Sequence, residues 1–308
     1  MGICYLLIMV QYRNKNRKLG DYMIKINNLL VKYKSQVAVD IKSLEFDDGV
    51  AYGIVGENGA GKTTLFKSIC NVITNYEGDI YIDDALVKKQ NDVLISVGLV
   101  LDGMAVYKDC TGWFNIRYFA GLRNCYNQEY VIQLAQELDI YNVLDKKVKT
   151  YSYGMQKKLI LLIAILSNPK YLILDEPFRG LDFDTVNWFK NYLLKLKKSG
   201  TTLLISSHVR HDLETLCQKV HVLDRGQLVD CFDLETEEMA RLRIINTTNN
   251  VRTIEIMKQF NFNFEIREDK IRASIEQPPW ISIQKQLHEE EIEVIELTKT
   301  SSLDGRLN

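Results

Sequence analysis

The segment "AYGIVGENGAGKTT" at residues 51–64 constrains the fold of this chain more than any other. A short apolar run leads into Gly56-x-x-x-x-Gly61-Lys62-Thr63, and a helical pattern follows directly. Glycines let backbone N–H groups turn inward around phosphate oxygens, and the start of the following helix adds positive potential. Lys62 can reach the outer phosphates, and the Thr63 hydroxyl can bind Mg²⁺. The segment therefore predicts a phosphate-binding strand–loop–helix unit, although a glycine-rich turn without a ligand is the alternative. Its candidate residues are Gly56, Asn58, Gly59, Ala60, Gly61, Lys62, Thr63 and Thr64.

A second segment, "YLILDEP" at residues 171–177, reads as a buried strand that ends in two carboxylates. Acidic residues at the carboxyl end of an open α/β sheet lie where ligands bind. We predict that Asp175 holds Mg²⁺, directly or through water, and that Glu176 orients an attacking water. Two solvated acids at a strand end are the alternative. Together with the glycine-rich loop, this segment predicts a P-loop NTPase, a class shared by kinases, GTPases and motor ATPases.

The composition gives no sign of a nucleic-acid partner, a cysteine metal site or a membrane span. The chain has 308 residues, of which 46% are hydrophobic, and its net charge of -1 gives no argument for a nucleic-acid partner. The six cysteines form no Cys-x-x-Cys pair and have no histidine at metal spacing, which is typical of reduced thiols in a cytosolic protein. The apolar run at residues 3–10 is too short to span a membrane. We interpret residues 1–22 as a poorly ordered extension that is dispensable for folding and for nucleotide binding.

Apolar strand-like runs alternate with helical patterns from residue 23 to residue 232. This alternation predicts an α/β fold with a mixed or parallel sheet, in which residues 103–168 form an inserted helical subdomain. From residue 233 to 308 the predicted order is β-α-β-β-α-β, which matches a small α+β unit of the ferredoxin-like type. We find no catalytic cluster in that second unit and interpret it as a packing or regulatory domain.

Three further segments narrow the class of NTPase. "YSYGMQKK" at 151–158 precedes the acidic strand, "FRGLD" at 178–182 follows it, and "TLLISSH" at 202–208 ends in a histidine. In this order the motifs resemble the nucleotide-binding subunit of ABC transporters over about residues 24–232. The tail is similar to the C-terminal extension of many bacterial members, and "YFAGL" at 118–122 resembles exporter-type members.

The resemblance implies roles for several residues. Ser152 and Gly154 occupy two positions of the signature loop, usually Leu-Ser-Gly-Gly-Gln, while Tyr153 and Met155 depart from it. In the family this loop faces the γ-phosphate of ATP held by the other subunit. Tyr33 would stack on adenine, His208 would contact the γ-phosphate, and Asp182 would lie on a loop that crosses the dimer interface.

The resemblance also implies partners and cofactors. It predicts an ATPase that uses ATP and Mg²⁺, dimerises as a homodimer or with a second ABC ATPase subunit, and drives a separate transmembrane permease. Its place would be peripheral, on the cytoplasmic face of the plasma membrane, and export is preferred over import. One alternative is a soluble ABC-type ATPase that acts on the ribosome or on DNA. Another is a phosphotransferase outside the family, which would leave Ser152, Asp182 and His208 without a role.

One departure from the family concerns the strand "SVGLVLDGM" at 96–104. Family members usually carry a glutamine after this strand, and Asp102 takes its place here. Carboxylate oxygens are good Mg²⁺ ligands, so we predict that Asp102 contacts the metal or its waters. Asp102→Asn should then bind metal-free ATP better, while its Mg²⁺-dependent hydrolysis falls. The alternative is that Asp102 only caps the next turn and faces solvent.

Overall fold

The structure is a computed structural model that describes residues 22–234, 242–267, 270–275 and 279–299. The chain divides into two compact units, Met1–Phe232 and Asp233–Asn308, and each is described by itself. Residues 1–21 of the predicted extension lie outside the described residues, so its dispensability stays a prediction.

An antiparallel sheet forms one layer of the first unit. Its strands follow the order β2-β1-β4-β5. They are β1 (Tyr22–Tyr33), β2 (Gln36–Asp47), β4 (Glu77–Ile82) and β5 (Ala85–Leu86). Apolar side chains from β1, β2 and β4 bury themselves against the rest of the core, among them Ile24, Ile41, Phe46 and Ile80. Burying such side chains is the main stabilising contribution to a core of this kind.

The second sheet of this unit has the strand order β10-β9-β3-β8-β7-β6. These strands are β3 (Ala51–Val55), β6 (Val97–Val100), β7 (Tyr171–Asp175), β8 (Thr202–Ser206), β9 (Lys219–Asp224) and β10 (Gln227–Asp233). From β6 to β9 every neighbouring pair is parallel. All residues of β3, β7 and β8 are buried, as expected for parallel strands covered on both faces. The sequence pattern does not predict β10, because the apolar residues of "QLVDCFD" occur in pairs and do not alternate.

Six α-helices complete the first unit as described. They are α1 (Lys62–Ile69), α2 (Gly112–Leu122), α3 (Gln128–Glu137), α4 (Tyr153–Ile165), α5 (Phe183–Lys198) and α6 (Arg210–Leu216). Helices α2 to α4 lie between β6 and β7 in the chain, where the sequence predicts helical structure. Each begins at a side-chain cap, since Thr111, Asn127 and Ser152 accept hydrogen bonds from the first turn. Within the described ranges, no helix is both long and apolar enough to cross a membrane.

The second unit follows the predicted order of elements. Its strands are β11 (Leu242–Thr247), β12 (Phe264–Arg267), β13 (Lys270–Ser274) and β14 (Val294–Lys299), and its helices are α7 (Asn250–Gln259) and α8 (Pro279–Glu289). The sheet order is β12-β13-β11-β14, and all three neighbouring pairs are antiparallel. Ile245 and Ile271 of the sheet share a core with Met257 and Ile283 of the helices. This arrangement is the predicted ferredoxin-like one.

Candidate active site

The loop between β3 and α1 has a backbone that only glycine can supply at two positions. Gly56 has φ +153, and a Cβ there would clash with the carbonyl oxygen of Leu223. Gly61 has φ +102, and its Cβ would lie 2.7 Å from the carbonyl oxygen of Ala38. Helix α1 starts without a side-chain cap and without an acidic residue in its first turn. The N–H groups at the start of α1 are therefore available to an anion.

Lys62, the first residue of α1, folds back over this loop. Its ammonium donates hydrogen bonds to the carbonyl oxygens of Gly56, at 2.6 Å, and Glu57, at 3.0 Å. Burial lowers the pKa of Lys62, while the charges of Glu176 and Asp175 oppose this shift. The residue thus places a cation inside the loop that the sequence predicts to bind phosphate.

Asp175 joins three elements at the carboxyl end of the sheet. Its Oδ2 accepts a hydrogen bond from Thr63 Oγ1 at 2.5 Å, and its Oδ1 accepts one from Ser206 Oγ at 2.5 Å. The described residues contain no group of three or more His, Cys, Asp or Glu side chains that could hold a metal ion. Mg²⁺ commonly uses only one or two protein carboxylates, together with phosphate oxygens and waters. The adjacent oxygens of Thr63 and Asp175 therefore fit Mg²⁺ bound together with a nucleotide.

Glu176 has an unusual backbone and an environment suited to proton transfer. Its φ of +48 is uncommon for a residue other than glycine. Its N–H donates hydrogen bonds to the carbonyl oxygen of Ser206, at 3.2 Å, and to Ser206 Oγ, at 3.1 Å. Burial raises the pKa of its carboxyl group, and the nearby His208 opposes that shift. Glu176 Oε1 lies 3.2 Å from His208 Nε2 but makes no hydrogen bond within the part of the chain described.

These groups lie in one cleft of about 360 Å³. Twelve residues that the sequence predicts for the site line it: Tyr33, Asn58, Gly59, Ala60, Gly61, Lys62, Thr63, Thr64, Asp102, Asp175, Glu176 and His208. Tyr33 is 51% exposed, as a stacking platform for a flat ring must be. The structure therefore brings together residues from five separate segments of the sequence.

Four predicted residues do not line this cleft: Gly56, at the start of the phosphate loop, and Ser152, Gly154 and Asp182. Ser152 caps α4 by accepting a hydrogen bond from the Met155 N–H at 3.2 Å. Asp182 caps α5 through Thr185, and that backbone N–H holds its pKa well below the usual range. A Cβ on Gly154 would lie 3.1 Å from the carbonyl oxygen of Gly180, so the two loops are close neighbours. The predicted roles of Ser152, Gly154 and Asp182 require a second subunit and stay predictions.

Comparison with known proteins decides the family. The family described as "ABC transporter" matches residues 39–179. The bacitracin transport ATP-binding protein BcrA of Enterococcus faecalis is 32% identical over 212 residues, which are 68% of this chain and 69% of BcrA. The chain belongs to the ABC transporter ATP-binding proteins. An uncharacterized member, YdbJ of Bacillus subtilis, is 26% identical over 293 residues, 93% of this chain and 94% of YdbJ.

Solved structures agree with the cassette fold of this ABC ATP-binding protein. An ATP-binding subunit of an ABC transporter has a TM-score of 0.64 at 22% identity, covering 78% of this chain and 93% of that one. A dimeric cassette in a post-hydrolysis state with ADP and Pi has a TM-score of 0.62 at 21% identity. The match covers 69% of this chain and 99% of the cassette. The predicted fold class is confirmed. Family membership also confirms the predicted enzyme class, an ATPase that binds ATP.

Two positively charged residues that no sequence motif indicates also lie at the site of this ABC ATPase. Arg179, in the loop after β7, lines the cleft and its Nη1 lies 3.1 Å from Asp102 Oδ2. Lys157, in the first turns of α4, is only 5% exposed and donates to the carbonyl oxygen of Glu176 at 3.2 Å. A lysine near the start of a helix is normally predicted to be exposed to solvent, so only the tertiary structure reveals this buried contact. Asp102 thus has an arginine partner, and its predicted metal contact stays a prediction.

The buried Lys157 leads to a prediction. Its burial lowers the pKa of its ammonium, which the charges of Asp102, Asp175 and Glu176 oppose. In Lys157→Met we expect the melting temperature to stay the same or rise, because a methionine of similar size needs no desolvation of a charge. The turnover number should fall roughly fivefold, since one hydrogen bond that holds the Glu176 backbone is lost.

Steady-state ATPase assays and thermal unfolding of the full chain test this prediction. Lys157→Gln keeps a hydrogen-bond donor without the charge and should recover most of the turnover. A methionine variant that is strongly destabilised yet fully active would show that Lys157 serves the fold and not the position of Glu176.

Proposed function

We propose that this chain hydrolyses ATP as one of two paired subunits that hold ATP and Mg²⁺ between them and drive a separate transmembrane permease. The observation that supports this most is the convergence of Lys62, Thr63, Asp175, Glu176 and His208 on one cleft. The cleft combines a cation, two oxygen ligands for a metal, and a partly buried carboxylate with a raised pKa. Phosphoryl transfer to water needs these groups and little else from the protein.

The roles of the residues follow from their positions. Tyr33 at the cleft rim stacks on the adenine, and the backbone N–H groups from Gly56 to Thr64 bind the phosphates. Thr63 and Asp175 hold Mg²⁺, which when bound supplies positive charge against the phosphate oxygens. Glu176 orients the attacking water and accepts its proton, while Lys62 stabilises the charge that develops on the phosphate. His208, whose Nε2 lies 3.2 Å from Glu176 Oε1, contacts the γ-phosphate.

The paired arrangement rests on residues outside the cleft. Ser152 at the start of α4 and Asp182 at the start of α5 form helix N-termini that lie beside each other, with Tyr153 against Gly180. A helix start with a serine hydroxyl suits a phosphate anion. We propose that Ser152 and Gly154 meet the nucleotide of the partner subunit, and that Asp182 lies at the interface. The pair is a homodimer or includes a second ABC ATPase subunit.

The transport role and the location are part of the same proposal. The relative BcrA is named for bacitracin transport, and the segment "YFAGL" and the C-terminal tail favour export. We propose a peripheral position on the cytoplasmic face of the plasma membrane. Residues 23–232 would be the ATPase domain, and residues 233–308 a small accessory domain.

Cell fractionation separates this function from the alternative of an ATPase that acts on the ribosome or DNA. The full chain, expressed in its native host, should sediment with membranes and co-purify with a membrane-spanning protein in mild detergent. Retention with ribosomes or nucleic acid after nuclease-free washing, with none in the membrane fraction, would favour the alternative.

A further inference from the structure

Two charged side chains face each other across the open edge of the cleft. Asp102 follows β6 and Arg179 follows β7, and these strands are parallel neighbours, so their carboxyl ends meet. Arg179 Nη1 lies 3.1 Å from Asp102 Oδ2, and both residues line the cleft with Lys62 and Thr63. The ion pair therefore borders the space that the phosphates would occupy.

The geometry of this ion pair favours replacement of Asp102 by another anion and contributes little to the stability of the fold. The side chain of Arg179 is 67% exposed and that of Asp102 is 37% exposed, and one nitrogen–oxygen contact joins them. Exposed ion pairs of this kind contribute little to stability. A phosphate, in contrast, carries more charge and accepts two parallel hydrogen bonds from the planar guanidinium. A phosphate in the cleft is thus a better partner for Arg179 than Asp102 is.

The other cations in or beside the cleft are engaged differently. Lys62 donates to two carbonyl oxygens of its own loop, and His208 faces Glu176. Lys157, beside the cleft, is buried and donates to the carbonyl oxygen of Glu176. Arg179, in contrast, is paired with the exposed carboxylate of Asp102, and so it can move to a new anion without leaving a buried group unpaired.

We propose that Arg179 binds the terminal phosphate of ATP held in its own cleft, and that Asp102 holds the guanidinium at the cleft edge until ATP arrives. This inference rests on the proposed function and adds to it a residue that distinguishes ATP from ADP. ADP lacks the phosphate that would draw Arg179 away from Asp102. The exchange also frees the Asp102 carboxylate at the moment when the nucleotide is bound.

Nucleotide binding to Arg179→Gln tests the first half of the proposal. With Mg²⁺ present, ATP affinity should fall about tenfold, the size expected for one charged hydrogen-bonding partner, while ADP affinity stays within about twofold. Isothermal titration with the full chain gives both affinities at a protein concentration where size-exclusion chromatography shows a monomer. Arg117→Gln is the matched control, because Arg117 is an exposed arginine on α2 and should change neither affinity.

The Asp102→Asn variant tests the second half. Without the carboxylate, Arg179 is free, and ATP affinity should rise about threefold, as the loss of a weak exposed pair allows. In the double variant with Arg179→Gln this gain should vanish, because Asp102 then has no arginine to hold. A gain of equal size in the double variant would overturn the holding role and would instead support a direct effect of Asp102 on the metal or the phosphates.

Two results would overturn the role of Arg179. They are an equal loss of ATP and ADP affinity in Arg179→Gln, which indicates a general charge effect, and no loss at all. If Arg179→Gln proves unstable, Arg179→Lys keeps the charge without the planar fork and should show a loss of about threefold for ATP alone. The Lys62→Ala variant distinguishes the two proposals. Normal ATP binding by Lys62→Ala would refute the whole site. Loss of ATP binding in Lys62→Ala, together with unchanged ATP binding in Arg179→Gln, would refute only this inference.

Discussion

Glu176→Gln is expected to bind ATP normally and to hydrolyse it at least about a hundredfold more slowly, the usual loss when a general base is removed. The amide keeps the size of the side chain and removes the charge that orients and deprotonates water. Burial raises the pKa of Glu176, so this carboxylate is a stronger base than an exposed glutamate. Because hydrolysis is what separates the proposed pair, the variant should accumulate as an ATP-bound dimer.

Size-exclusion chromatography with ATP and Mg²⁺ measures the dimer, and release of phosphate measures turnover. Glu129→Gln is the matched control: it makes the same change at an exposed glutamate on α3, outside the cleft, and should leave the turnover unchanged. A monomer at high protein concentration, with ATP shown to be bound, would count against the paired mechanism. Normal turnover would remove Glu176 from the catalytic role.

Lys62→Ala should lose nearly all ATP hydrolysis, at least about a hundredfold, because the loop then has no side-chain cation for the developing phosphate charge. The structure predicts a second, smaller effect. Lys62 donates to the carbonyl oxygens of Gly56 and Glu57, so its loss should lower the free energy of unfolding by about 1–2 kcal/mol. The chain should nevertheless remain folded, because the change removes no large apolar side chain from the core.

Lys62→Met separates charge from packing in this test. It keeps most of the aliphatic volume and should lose hydrolysis to the same extent, with a smaller change in the melting temperature. ATPase assays, ATP titration and thermal unfolding of both variants give the comparison. Full activity in either variant would mean that the loop from Gly56 to Thr64 is not the phosphate site.

Several features could be predicted from the sequence because they depend on neighbouring residues alone. The loop from Gly56 to Thr64 is one continuous segment, and its glycines have the positive φ angles that such a loop requires. The uninterrupted apolar runs of β3, β7 and β8 predict strands buried on both faces, and all their residues are buried. The order of elements in the second unit could also be predicted, because strand and helix have different apolar periods.

Other features were decided only by the tertiary structure. The contact of Asp175 with Ser206, the pair of Asp102 with Arg179, and the approach of His208 to Glu176 each join segments that are far apart in the chain. They depend on which strands become neighbours, and the pattern within a strand does not contain that information. The burial of Lys157 could not be predicted from the sequence either. Its position near the start of α4 predicts solvent exposure, but α4 packs against β6 and α2, and Lys157 is buried. Local sequence determines backbone conformation, but which charged side chains share a cleft depends on which strands lie next to each other in the sheet.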